Sequence, residues 1–179
     1  MKKVLLAIAC LFCLNVEAQI YYGDKQLTKS RITGTKVGNI FGAVLTYGLS
    51  PANSSKTIEG ATSETQIKDK MPAFKFHFGE SKDSLLMNPE RMSGIYMVKL
   101  RKKKKKAKTR QLRSGSYGLI AGVQTGVDED DIIPINVENE NANTFIIKPK
   151  IELEEGEYCF YYVGKDITIT SIYDFTIIK

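Results

Sequence analysis

The chain has no tryptophan, a single histidine and only three cysteines and five prolines in 179 residues. Each scarcity removes a class of mechanism. One imidazole, His77, excludes a multi-histidine metal centre. Any histidine-assisted nucleophile would have to pair with that one ring. No zinc-ligand spacing, phosphate-cradling glycine loop or nucleophile elbow occurs. Long apolar runs are missing too, save Val4 to Leu14. That block follows Met1-Lys2-Lys3, falls well short of the roughly 20 residues a membrane span needs, and ends in Asn15-Val16-Glu17-Ala18. A basic start, a short apolar block and a small residue before the cut predict a secretory signal peptide over residues 1–18, cleaved between Ala18 and Gln19. Cys10 lies inside the block and Cys13 follows the bulky Phe12, so neither is placed for lipidation. Cleavage removes both, and Cys159 alone remains, which excludes an internal disulfide. An exported chain without a disulfide depends on its core, and a single domain over residues 19–179 is long enough to bury one. The expected location is periplasm, cell surface or medium, with no membrane-spanning segment after cleavage.

What the chain does contain is two-residue periodicity. In Phe74-Lys75-Phe76-His77-Phe78 the phenylalanines share one face and the polar residues the other, a pattern only a strand uses. Ile20-Tyr21-Tyr22 before Gly23-Asp24, Ile95 to Leu100, Phe145-Ile146-Ile147 and Ile172 to Ile178 read as further strands. In Ile132-Ile133-Pro134-Ile135-Asn136-Val137 the proline predicts an edge or bulged strand. Pro51 to Ser55 has loop composition, Ile58 to Ala61 reads as a short edge strand, and Thr62 to Met71 as polar and irregular. Gly34, Gly38, Gly42 and Gly48 punctuate a stretch best read as strands bent at glycines, with a small helix as the alternative. Short strands at roughly ten-residue spacing, without an amphipathic helix, predict an all-β antiparallel sandwich of Greek-key or immunoglobulin-like type.

Leu153, Gly156 and Tyr158 open a run, Tyr158 to Val163, that is apolar on both faces, as a buried strand is. Their spacing resembles the tyrosine corner of Greek-key sandwiches, whose hydroxyl turns back to the preceding corner. Together with the phenylalanine strand, Met97 to Leu100 leading into lysines, and Tyr173-Asp174-Phe175, the region from Ile58 onward resembles a group of uncharacterised exported bacterial β-rich proteins. That resemblance implies a β-rich exported protein and carries over no catalytic residue.

Charge is segregated. From Lys99 to Arg113 there are ten basic residues and no acid, whereas Asp128 to Glu157 holds ten acids against Lys148 and Lys150. The basic block predicts a hairpin whose tip or solvent face carries the lysines. As a site it would use Lys102, Lys103, Lys104, Lys105, Lys106, Lys108 and Arg110 on nucleic acid, lipopolysaccharide or acidic glycan, with affinity falling as salt rises. As structure it is a solvated tip or an edge guarded by lysine, and it lacks the interleaved aromatics that single-stranded nucleic acid stacks on. Pairing with the acidic segment of a neighbouring molecule is a third option. Asp128, Glu129, Asp130 and Asp131 lack the ligand alternation and central glycine of an EF-hand loop and read as an acidic turn. Cys159, between Tyr158 and Phe160, reads as buried and inert, and His77 as lying on the wet face of its strand. The expectation is a non-enzymatic exported domain, without cofactor or metal, that binds an unknown protein partner, a polyanion or itself. An anion-binding surface protein is the alternative.

Overall fold

The computed structural model describes residues 19–38, 45, 52–77, 95–102, 107–118, 122–124, 127–141, 143–162 and 171–179. The segment expected to be a signal peptide, residues 1–18, together with Phe78, Lys103 to Lys106 and most of the glycine stretch after Gly38, lies outside them. The fold is all-β, antiparallel and sandwich-like, with one short parallel pairing.

The first sheet has five strands. β1 (Gln19–Tyr22) turns at Gly23-Asp24 into β2 (Lys25–Gln26), and Gly23 takes the positive φ of +57° that a two-residue primed hairpin turn demands. β6 (Phe74–His77) lies beside β1, followed by β12 (Thr144–Pro149) and, at the edge, β11 (Ile135–Asn141). Phe74 and Phe76 face inward while Lys75 and His77 are exposed, as the periodicity predicts.

The second sheet runs β10 (Ile132–Ile133), β7 (Ile95–Leu100), β13 (Gly156–Tyr162), β14 (Ser171–Ile177), β3 (Lys29–Gly38), β4 (Ala52–Glu59), β8 (Thr109–Gly118) and β9 (Gly122–Gln124), with β5 (Gln66–Ile67) parallel to β14. This sheet curls until β8 meets β7 again. Arg101 and Gln111 exchange backbone hydrogen bonds of 2.9 and 2.8 Å there, an isolated antiparallel bridge that brings the two ends of the basic block together, as the expected hairpin requires. Pro134 separates β10 from β11, so the predicted proline-broken edge strand serves as an edge of each sheet in turn.

Curling gives the shared strands two buried faces. Toward the first sheet, Met97, Tyr158, Phe160, Phe175 and Ile177 pack with Ile20, Phe74, Phe76, Phe145 and Ile147. Phe160 meets the edges of Phe74 and Phe76 at 4.9 and 4.8 Å between centroids, the geometry that aromatic pairs favour. On the opposite face Val98, Cys159, Tyr161 and Ile172 join Ile58, Leu100 and Leu112 inside the curl. The Tyr158 hydroxyl donates to the Glu154 carbonyl at 3.0 Å above a buried Leu153, which is the corner bond that the spacing predicts.

Two readings of the β4 region are corrected. β4 begins at Ala52, inside the presumed loop, and is not an edge, because β3 and β8 bond it on both sides. Ladder pairing defines it where its Ser-Ser-Lys-Thr side chains give no apolar signal. The stretch after Thr62 is not irregular throughout, since Ser63 and Thr65 are buried and β5 pairs with β14. β3 does pass through Gly34 and Gly38 as a strand, with a register shift between Ile32 and Gly34.

Candidate functional site

The basic block divides into interior and surface members. Arg110 was expected among exposed anion-binding residues, and the structure corrects this: its side chain is 0% exposed. β8 alternates inward and outward, and the position of Arg110 turns inward beneath Gly60. Its five N–H groups make five bonds. Nε donates to Gly60 O at 3.1 Å; Nη1 to Asp174 Oδ2 and, at 3.4 Å, to Glu157 Oε2; Nη2 to Ser30 Oγ at 3.0 Å and Glu59 O at 2.8 Å. The two acids are otherwise satisfied. Ser30 Oγ donates to Asp174 Oδ2 at 2.8 Å, Ser63 Oγ to Asp174 Oδ1 at 3.2 Å, and Glu157 Oε2 accepts from Thr176 Oγ1 at 2.8 Å and Ser63 N at 3.1 Å. This network joins β3, β8, β13, β14 and the 60–65 segment. A buried charge set with every partner supplied holds an end of the curled sheet together.

Lys102 extends the network to the surface, its Nζ lying 3.1 Å from Glu157 Oε1. Lys99 pairs with Glu154 at 2.6 Å, and this hydrogen bond raises the lysine's pKa and lowers that of the carboxylate. Arg101 and Arg113 both bind Asp131, at 2.8 and 2.6 Å, and Arg113 also meets Asp128 at 3.0 Å. Hydrogen bonding to Asp131 pushes the Arg113 guanidinium further up. The acidic turn is therefore a wedge. Its 3-10 turn, Glu129–Asp131, sits where β7 and β8 diverge, tied by Asp128 N to Arg113 O at 3.2 Å and by β10 to β7. The segregated charge blocks meet within one chain. Of the proposed anion contacts, Lys102 and Arg110 are thus engaged internally, Lys108 is exposed, and Lys103, Lys104, Lys105 and Lys106 fall outside the described residues.

Cys159 is fully buried inside the curl, and burial pushes its thiol well above the usual range, with Asp174 adding to the rise. His77 faces the other way, on the outer surface of the first sheet, where Nδ1 lies 3.2 Å from Thr144 Oγ1. A whole core layer, about 10 Å thick, separates the two, so they form no nucleophile and base pair.

That outer surface carries an open depression. It measures about 470 Å³ and is lined by Tyr21, Lys75, His77, Glu140, Asn141 and Thr144. Strand register brings them together: Tyr21 opposes Lys75, and Thr144 opposes both His77 and Asn141. Lys75 and Glu140 pair at 2.9 Å, and the Tyr21 hydroxyl donates to Gln19 Oε1 at 2.5 Å. Sequence reasoning placed His77 on a wet face but missed this grouping, because the residues come from four strands, β1, β6, β11 and β12, and from segments distant in sequence. Among the described residues no cluster of His, Cys, Asp and Glu has the geometry to hold a metal ion, and no helix is long and apolar enough to cross a membrane. Compared with protein-family models, curated proteins and solved structures, the chain matches none of them.

Proposed function

We propose that the chain is an exported, non-enzymatic domain that acts by binding or by assembly. The observation that carries this reading is where the polar chemistry has gone. The reactive thiol is enclosed, the one imidazole is a core layer away from it, and the buried charges form closed clamps. Among the described residues, what remains accessible is a polar sheet face, the edge strand β11 and Lys108. Export rests on the signal peptide expected over residues 1–18. The test is a pull-down from the exported fraction with the full chain as bait, alongside hydrolase assays. Saturable capture without turnover supports the reading. Turnover that survives purification and is lost in His77→Ala overturns it.

A second reading, polyanion binding through the hairpin, narrows to Lys103 to Lys106 and Lys108, since Arg110 serves the interior. Its support is the exposed Lys108 beside the Arg101 and Gln111 bridge that anchors the hairpin base. Replacing Lys103 to Lys106 with serine removes heparin and DNA retention on this reading; unchanged retention ends it.

A further inference from the structure

We propose that the outer face of the five-stranded sheet is a binding site for a neutral glycan, centred on Tyr21. This rests on the binding-domain reading above and gives it a ligand class. Two-residue alternation puts Ile20 inward and Tyr21 outward on β1, with Lys75 and His77 outward on the neighbouring β6. The face is thus wet by construction, yet it holds a half-buried aromatic ring. Its hydroxyl donates to Gln19 Oε1 on the same strand.

Around the ring the polar groups are paired so as to cancel charge while leaving hydrogen-bonding capacity. Lys75 and Glu140 neutralise each other at 2.9 Å, with side chains 47% and 43% exposed. Asn143 N donates to Asn141 Oδ1 at 3.0 Å, which fixes the amide and presents its NH2 as a donor. His77, an exposed residue, is engaged at Nδ1 by Thr144. Asp24, also in the lining, adds an acceptor and a negative charge that disfavours anions. Neighbouring hydroxyls on a sugar each donate and accept, so a set that offers both within one depression suits them. The tyrosine supplies a flat amphipathic platform for the sugar's C–H face. A volume of about 470 Å³ is in the range of small-molecule sites, but this site is open, which suits a stretch of oligosaccharide rather than an enclosed metabolite. The lysine hairpin belongs to the other sheet, so neutral and anionic binding separate by mutation.

The experiment is affinity electrophoresis of the exported chain through gels containing a neutral glucan, mannan or galactan, with heparin as the anionic probe. At least one neutral polysaccharide retards the chain, and Tyr21→Ala weakens that retardation about tenfold. Raised salt and serine at Lys103 to Lys106 leave it unchanged. His77→Ala, at an exposed position, provides a second weakened variant, and melting curves for both verify the fold. Retardation by none of the neutral gels overturns the proposal, as does retardation that both variants keep, or binding confined to heparin. A protein partner captured by a chain that ignores every neutral gel sinks the glycan site while the binding-domain reading stands.

Discussion

Arg110 is the residue on which the most depends. Its guanidinium is enclosed with Asp174 and Glu157, and removing one member of such a set strands the others without water. Arg110→Met is expected to lower unfolding free energy by about 3–5 kcal/mol, measured by urea denaturation. Gly60 belongs to the same arrangement: at φ +84°, an added Cβ would meet Thr62 O at 3.3 Å, beside the carbonyl that Arg110 holds. Cys159 shows the reverse, a reactive side chain silenced by location. Burial favours the neutral thiol, and the thiolate is the nucleophile. Labelling by a disulfide reagent at mildly alkaline pH should therefore be absent in the native state and complete in denaturant. Rapid native labelling would mean that the curl opens readily. A sequence cue for the clamp existed: Glu157 and Asp174 each stand inside otherwise apolar strands, and a buried acid requires a partner. Which of the ten basic residues answers it depends on strand pairing across distances that local patterning does not encode.

Among the elements, β6 and the 128–133 wedge differ in how far their residues announce them. Alternating phenylalanine and charge declares β6 outright, because the same period that makes the pattern builds the half-buried strand. Phe76→Ala removes a ring packed edge-on to Phe160 at 4.8 Å and is expected to destabilise by about 3–5 kcal/mol, read from the denaturation midpoint. The tyrosine corner is legible for a similar reason, since both of its partners lie within four residues. β4, β5 and the wedge are not. Their places come from ladder bonds and ion pairs with remote strands, and Ser-Ser-Lys-Thr or Glu-Asp-Asp could equally be loop. The outer-face depression was illegible on the same grounds. Asp131 tests the wedge: it is buried and receives both Arg101 and Arg113. Asp131→Ala should cost about 2 kcal/mol and raise amide exchange in β10 and the Arg113 end of β8 before other strands. Exchange that rises evenly over the chain would deny it that local role.

For the whole molecule, the curl has a consequence for cooperativity. β7, β13 and β14 each carry one set of side chains toward the first sheet and another into the curl. Neither core can be exposed without stripping a face from strands that the other core needs. Two independently melting layers are excluded by this sharing, so one unfolding transition is expected, with the same midpoint by far-ultraviolet circular dichroism and by tyrosine fluorescence. Phe76→Ala, on one face, and Leu112→Ala, inside the curl, should each move that single midpoint. They share no partner across the layer, so their effects should add in the double variant to within about 0.5 kcal/mol. A second transition in either single variant, seen by one probe and not the other, would mean that the layers hold together separately, and the shared strands would then be a contact surface between two cores rather than the spine of one.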